Sequence, residues 1–394
     1  MLSGLLFAIR DAEDRPDRLA ATLPFAGTTL IEYQARLLIA AGASQIVVVV
    51  TRLTPELLGA ISRIGRRGVA VDAVRGAAEA AEKLHPLSHV LVLADGLVTT
   101  EALLTPMAGD GPETLLVVSE NEADPAFERI GGQLAWAGVA RLGPTRLRDI
   151  ARIPRDWDMQ SALLRAASQG GAAHLLLPAT AAAEGHGVEH RGAALDARGR
   201  AVLAGAMSGR RGWFDRWIIA PIGRLLLPAL VDRGVSASAV AAGGAVAGVA
   251  GLAAIRADWV TVGLLLTLAA VIGWTLGGTL ATLRDERRLA RGQGWAVPGL
   301  AALATMLLAA GLGERLDGPA TLVVATALVT LAGLGERAII GGRRRLLWGG
   351  PGAYLLIVAA GAAVGAPAVG LAAAAVYAAV TLGAAIEALR HEAE

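Results

Sequence analysis

A carboxylate at the end of a strand is the first candidate for chemistry. Asp95 ends the run HVLVLAD (89–95) and is followed by Gly96. At the carboxyl end of a strand in an α/β sheet, such a carboxylate can hold Mg²⁺ against the phosphates of a nucleotide. An Asp-Gly pair is also a common strand-end turn. A metal site and a plain turn are therefore both open readings.

The polar stretch RDAEDRPDR (10–18) follows the first apolar run and would lie on the same sheet edge. A phosphate-cradling loop needs glycines so that backbone N–H groups can approach the anion. This stretch has none, and its acids would repel a triphosphate, although Arg10, Arg15 and Arg18 offset part of that charge. Further on, His186 and His190 lie four residues apart. A metal site there is conceivable, but we expect a solvated loop.

Alternating strands and helices must position these residues. The spacing predicts helices over 29–43 and 54–68, the second with Thr54 as N-cap and Pro55 at its first position. Short β-branched or apolar runs predict strands at 4–9, 45–50, 69–74, 89–95 and 114–119. This order predicts a doubly wound, mostly parallel sheet whose ligands bind at the carboxyl ends of the strands.

Composition narrows the class of protein. The 394 residues are 54% hydrophobic and 4% aromatic, with a net charge of only +2 and no cysteine. The missing cysteine excludes disulfides, thiolate metal sites and cysteine nucleophiles. No basic patch interleaved with aromatics is present, which argues against nucleic-acid binding. The first residues lack a basic segment before a long apolar one, so we expect a strand there and not a signal peptide.

The second half is dominated by long Ala/Leu/Val/Gly runs. We expect a cytoplasmic α/β domain over 1–205, an amphipathic juxtamembrane helix over 209–234 and a membrane domain over 235–390. Trp and Arg side by side in 209–234 suit the lipid headgroup region, although a domain-packing helix has the same pattern. Six stretches are long enough to be candidate spans: 236–255, 258–281, 295–313, 318–335, 350–365 and 367–388.

The arginines set the expected orientation. They concentrate in the connections 282–294 and 336–348, which the positive-inside rule places in the cytoplasm. With six spans, both termini and the α/β domain are then cytoplasmic. We expect a multi-pass protein of a bacterial inner membrane.

The first half resembles the sugar-phosphate nucleotidyltransferases. The resemblance rests on LPFAGTTLIEYQARLLIAAGASQIVVVV (23–50), LVLADGLV (91–98), FERIGGQLAWAGVARL (127–142) and DWDMQSALLRAA (156–167). It implies that Asp95 is a metal ligand, that Gly96 and Arg15 lie at the nucleotide, and that Glu189 is near a second metal acid. The family's glycine loop and its lysine have no counterpart here.

The second half resembles the CDP-alcohol phosphatidyltransferases, which in some members follow a nucleotidyltransferase-like domain. GWFDRWIIAPIGRLLLPALVDRGVSASAV (212–240) and the helix count carry this resemblance. The family's chemistry uses D-x-x-D-G-x-x-A-R and a later D-x-x-x-D to hold two metals. WTLGGTLAT (274–282) is the best counterpart; Gly278 and Ala281 are kept, and the other motif positions are occupied by Trp274, Gly277, Thr282, Pro298 and Ala302.

The acids of that motif are absent in every register. No Asp or Glu occurs between Trp259 and Arg284 or between Arg287 and Gly313. A two-metal site therefore cannot be built from the usual helices. What remains at the membrane surface is a set of arginines suited to anionic headgroups: Arg284, Arg287, Arg288 and Arg291.

Two functions follow from these observations. The first is a non-catalytic membrane protein that keeps the fold as a lipid-, nucleotide- or protein-binding module. The second is an active enzyme of phospholipid or polyol-phosphate synthesis with a rearranged site, in which Mg²⁺ and CTP would bind at Asp95, Asp11, Asp14 and Arg15. A transporter is disfavoured because the spans contain almost no charge. We expect membrane lipid as a partner, and the resemblance adds a homodimer or partner membrane proteins.

Overall fold

The structure is a computed structural model that describes residues 1–151, 158–208, 212–283, 286–316, 318–339 and 346–393. The chain forms two compact units, Met1–Gly205 and Ala206–Glu394. The first is a mixed α/β unit and the second is helical and apolar, which confirms the predicted fold class.

Fourteen strands, seven α-helices and one 3-10 turn, Ala20–Thr22, make up the described part of the first unit, with α7 running three residues past its boundary. The strands are β1 Leu2–Ala8, β2 Asp11–Ala12, β3 Arg15–Leu19, β4 Pro24–Phe25, β5 Thr28–Thr29, β6 Ala43–Val50, β7 Ala70–Val74, β8 His89–Leu93, β9 Leu97–Val98, β10 Thr114–Ser119, β11 Glu128–Gly131, β12 Leu134–Leu142, β13 Ala173–Leu176 and β14 Gly187–Val188. The helices are α1 Leu30–Ala40, α2 Pro55–Gly65, α3 Ala77–Lys83, α4 Glu101–Ala108, α5 Pro144–Ile150, α6 Met159–Gln169 and α7 Gly192–Ser208.

The main sheet has the strand order β13-β10-β12-β8-β1-β6-β7, with β11 paired to β12. β7, β6, β1 and β8 run parallel, whereas β12 is antiparallel to both β8 and β10. Side chains of β1 and β6 are buried along nearly their whole length, as continuous apolar runs of a two-sided sheet should be. All five predicted strands are present, but the sheet is mixed because an unpredicted strand, β12, runs against its neighbours.

Two local predictions have different outcomes. Thr54 caps α2, its Oγ1 accepting a hydrogen bond from the Leu57 N–H at 3.2 Å, and Pro55 is the first helical residue as predicted. The polar stretch 10–18, where no strand was predicted, contains the two-stranded β2–β3 hairpin. Pairing between Asp11 and Leu19 gives the backbone of this polar stretch its hydrogen bonds.

Seven helices form the second unit as described. They are α8 Ala220–Asp232, preceded by a π-helical turn Asp215–Ile219, then α9 Ala237–Arg256, α10 Val260–Leu283, α11 Arg287–Arg315, α12 Ala320–Ile339, α13 Pro351–Ala363 and α14 Pro367–Ala393. Five of them, α9 to α12 and α14, are long and apolar enough to cross a membrane.

Six helices, α9 to α14, follow α8 as predicted, but α13 is shorter than a full span. Its 13 residues give a length of about 20 Å, short of the ~30 Å hydrocarbon core. Pro351 sets the start of the helix, and the left-handed Gly365 (φ 78°) follows its end. Gly361 lies against Gly370 of α14, so α13 and α14 form a close antiparallel pair.

Candidate functional site

The Asp95 carboxylate lies buried at the carboxyl end of β8, only 2% exposed. Its Oδ2 accepts hydrogen bonds from the backbone N–H groups of Ile9 at 2.9 Å and Arg10 at 2.8 Å. These N–H groups directly follow β1, where a phosphate-binding loop would present its own. Among the described residues Oδ1 has no hydrogen-bond partner. Asp95 thus occupies donors that an anionic ligand would need.

Side chains from two later segments close the space around Asp95. The Gln160 Oε1 accepts from the Asp95 N–H at 2.9 Å, and its Nε2 donates to Glu128 Oε1 at 3.0 Å. The remaining cavity has a volume of about 10 Å³, enough for one water. Mg²⁺ needs six oxygen ligands and usually keeps several waters. In this arrangement the residues around Asp95 do not fit Mg²⁺ with a nucleotide.

Burial raises the pKa of Asp95, and close packing leaves room only for glycine at the next residue. Loss of hydration raises the pKa of Asp95 to about 6, although the N–H groups of Arg10 and Ile9 oppose the rise. The next residue, Gly96, has φ 74°, and a Cβ there would lie 2.7 Å from the Glu189 carbonyl oxygen. Only glycine fits that position.

The other residues predicted for this site lie elsewhere or in different surroundings. Arg15 is exposed on β3 and does not line the small cavity, whereas Arg10 does. Glu189 Oε1 accepts a hydrogen bond from the His190 N–H at 3.2 Å, and the carboxylate forms loose ion pairs at 3.9 Å with Arg191 and Arg198. In the part of the chain that the structure describes, no group of three His, Cys, Asp or Glu side chains could hold a metal ion.

The expectation of a solvated loop at the two histidines is wrong. His186 is 2% exposed and His190 is 7% exposed, because β14 pairs with β9 and brings this segment into the fold. His186 Nδ1 lies 3.0 Å from Thr99 Oγ1, and its Nε2 lies 2.9 Å from the Ala137 carbonyl oxygen. Burial lowers the pKa of His186 to about 4, so its ring is neutral at pH 7.

The second unit contains a much larger cavity, of about 760 Å³. It lies at the end of the helices where the two arginine-rich connections begin or end. Its lining includes five of the positions that the resemblance assigned to the metal-binding motif: Trp274, Gly278, Thr282, Pro298 and Ala302. Along α10 it extends from Thr282 to Val271, about 16 Å at 1.5 Å per residue.

The remaining motif positions take part in helix packing. Gly277 faces Val240 and Gln293, and Ala281 is fully buried; neither lines the cavity. Trp274 stands where the first metal acid would be. Its Nε1 donates to the Ala241 carbonyl oxygen at 2.9 Å, which fixes the indole between α10 and α9.

Aromatic rings and a balanced set of charges surround the cavity. The rings are those of Phe214, Trp274, Trp295, Trp348 and Tyr354. The charged lining is two acids and two arginines: Asp215, Glu336, Arg291 and Arg337. The formal charge of the described lining is therefore zero, unlike a metal-binding cluster of four acids.

Three of these charges were missed from the sequence because they lie outside the metal motif. Asp215 is in the juxtamembrane segment, and Glu336 and Arg337 lie at the end of α12, in the arginine-rich connection. Of the four predicted headgroup arginines, Arg291 lines the cavity, and Arg288 is exposed on α11 away from it. Arg284 lies outside the described residues, as does the side chain of Arg287.

Comparison with known proteins finds similarity in fold but none in sequence. No protein-family model and no curated protein sequence matches this chain. Among solved structures, the inositol-1-phosphate CTP transferase from T. maritima is similar at 15% identity and a TM-score of 0.35, covering 44% of this chain and 84% of that one. The likeness is too distant to carry any residue or activity over to this chain.

Proposed function

We propose that this protein is a non-catalytic membrane protein that binds the headgroup of a phospholipid in the cavity of its helical unit. The observation that carries the proposal is the 760 Å³ cavity itself, which gathers the motif positions of a phosphotransferase without the motif's metal-binding acids. The volume is in the usual range of small-molecule sites.

The chemistry of the lining favours a lipid over a CDP-alcohol. A diphosphate needs divalent cations to neutralise it, and four carboxylates from two helices would supply their ligands in the resembled family. Here those helices contribute Trp274, Pro298 and Ala302. Aromatic rings beside charged groups suit the region where lipid headgroups meet hydrocarbon.

The location of the cavity supports the same proposal. It lies beside the arginine-rich connections, the end that the positive-inside rule assigns to the cytoplasm. The short helix α13 begins in the cavity wall at Pro351 and pairs antiparallel with α14. The carboxyl end of α14 therefore lies at the same end of the helical unit as the start of α13. We propose a bacterial inner membrane with both termini cytoplasmic.

In the first unit, the surroundings of Asp95 also support a non-catalytic role. Asp95 already accepts hydrogen bonds from the N–H groups that follow β1, and the space beside it holds about one water. We propose that this unit retains a nucleotidyltransferase-like fold without nucleotide turnover.

Lipid retention tests the proposal. The full chain, purified in mild detergent, is examined by native mass spectrometry for bound phospholipid. We expect about one lipid per chain in the wild type and loss of that lipid in Ala302→Phe, whose ring would project into the cavity beside the other motif positions. Leu303→Phe is the matched control, because Leu303 is 54% exposed on the outer face of the same helix. Equal retention by all three proteins would refute a cavity site.

The alternative, an active enzyme with a rearranged site, makes a different prediction. Asp215 and Glu336 are the acids that line the described cavity, and they are the groups such a site would use. Release of CMP from CDP-diacylglycerol with Mg²⁺ or Mn²⁺ and an alcohol acceptor, abolished by Asp215→Asn, would support it. We expect no CMP above that of a protein-free blank.

A further inference from the structure

Two opposite charges in the wall of the large cavity have no side-chain partner among the described residues. Asp215 lies in the π-helical turn before α8, and Arg337 lies near the carboxyl end of α12. Within the described ranges, neither side chain makes an ion pair or hydrogen bond with another residue. They line the same cavity and yet do not pair with each other. π-helical turns are rare and are often found at functional sites.

An unpaired charge in a partly enclosed space is costly, and the cost grows as the surroundings become less polar. Asp215 loses part of its hydration without gaining an opposite charge, whereas Arg337 is exposed where it lines the cavity. Asp215 is half-buried, and the apolar helices of the bundle surround the deeper part of the cavity. A ligand with one charge would compensate only one of the two groups. A ligand that carries both signs a short distance apart compensates both.

The surroundings of the two charges match the two ends of such a ligand. The amino end of α13 lines the cavity through Gly350, Pro351 and Gly352, and N–H groups in a first helical turn have no carbonyl partner within the helix. The partial positive charge there favours a phosphate, and Arg337 lines the same cavity. Phe214 lies next to Asp215 in the chain and lines the same cavity, and an aromatic face attracts a cation.

We infer that the cavity binds a zwitterionic phospholipid headgroup, with its phosphate at Arg337 and the amino end of α13 and its ammonium group at Asp215. The inference rests on the proposed function, since it names the class of lipid that the cavity takes. It sets phosphatidylethanolamine and phosphatidylcholine, which share an ammonium group, apart from phosphatidylglycerol and phosphatidic acid, which lack one.

A competition between headgroups tests the inference. The full chain is reconstituted in nanodiscs that contain equal amounts of these four lipids, extracted gently, and its bound lipid is identified by native mass spectrometry. We expect the ammonium-containing lipids to exceed phosphatidylglycerol about tenfold, because one charge-assisted hydrogen bond contributes about that factor. Asp215→Asn should remove this preference and leave a bound lipid in place. Arg337→Gln should lower retention of all four lipids.

Matched controls separate these effects from a general loss of charge. Glu314→Gln removes an acid at the carboxyl end of α11, and Arg256→Gln removes an arginine at the carboxyl end of α9. Neither residue lines the cavity, so both variants should behave as wild type. Size-exclusion elution at the wild-type position shows that each variant is folded. A wild-type preference for phosphatidylglycerol or phosphatidic acid would overturn the inference, as would an unchanged preference in Asp215→Asn. A bound lipid that Ala302→Phe displaces, with no headgroup preference, would overturn this inference alone. Absence of any bound lipid would overturn the proposed function as well.

Discussion

Replacing Asp95 by asparagine should stabilise the first unit at neutral and alkaline pH. Burial raises the pKa of Asp95 from an ordinary value of 3.8 to about 6, so ionising this carboxyl is more costly in the folded chain than in the unfolded chain. A difference of about two pKa units corresponds to about 3 kcal/mol. The asparagine keeps one side-chain oxygen that can accept the hydrogen bonds from the N–H groups of Ile9 and Arg10, and it has no charge to desolvate.

The sign of the pH dependence follows from proton linkage. Asp95 binds its proton more tightly in the folded chain than in the unfolded chain, so its contribution to the unfolding free energy falls as pH rises from about 4 to 6 and then stays level. Asparagine does not titrate. We therefore expect Asp95→Asn to exceed wild type by about 1–3 kcal/mol at pH 8, with most of that gain lost at pH 4.

Urea unfolding of the full chain in detergent, followed by pulse proteolysis, measures this difference through fragments of residues 1–205. Asp17→Asn, at an exposed position of β3, is the matched control and should change stability by less than about 0.5 kcal/mol at either pH. If Asp95→Asn destabilises the unit at pH 8, or if its gain is larger at pH 4 than at pH 8, the argument that Asp95 is desolvated is wrong. Stabilisation of the wild type by Mg²⁺ and CTP that the variant lacks would point instead to a working metal site.

Three further substitutions test the packing. Gly96→Ala places a Cβ 2.7 Å from a backbone oxygen at φ 74° and should cost about 2–4 kcal/mol in urea unfolding, while Gly109→Ala, with open space around it, should be nearly neutral. Because burial lowers the pKa of His186 to about 4, the contribution of this residue to stability should fall by about 3 kcal/mol as pH drops from 6.5 to 4, opposite in sign to the contribution of Asp95; the difference between wild type and His186→Gln isolates it, and a difference that does not change with pH would contradict the neutral buried ring. Gly251→Ala puts a Cβ 2.6 Å from a side-chain oxygen of α10 and should lower the thermal midpoint of the helical unit, whereas Gly243→Ala should not; equal midpoints would contradict the close contact of α9 with α10.

Local patterns predicted much of the fold because their causes are local. Thr54 and Pro55 mark a helix start wherever they precede apolar residues at helical spacing, and β-branched runs such as 45–50 suit a buried strand. The strand β12 was missed because LAWAGVARL contains small residues and no clear alternation. Its position depends on pairing with β8 and β10, which are distant in sequence.

The sites were harder to predict because their character depends on distant contacts. The sequence placed Asp95 at a strand end, but its burial comes from Gln160 and Glu128, which are 65 and 33 residues further along the chain. Likewise, the missing acids could be read from the motif, whereas the presence of Asp215 and Arg337 in the wall of one cavity depends on how the helices assemble. Residue types indicated which chemistry was lost, and packing showed which groups took its place.

An experimental structure of the full chain in a lipid bilayer would test the central claim most directly. The account predicts one phospholipid whose headgroup lies in the cavity between α10, α11, α12 and α13, with its phosphate beside Arg337. A cavity that holds a nucleotide diphosphate with divalent cations, or one filled by protein side chains with every lipid on the outer surface, would contradict it.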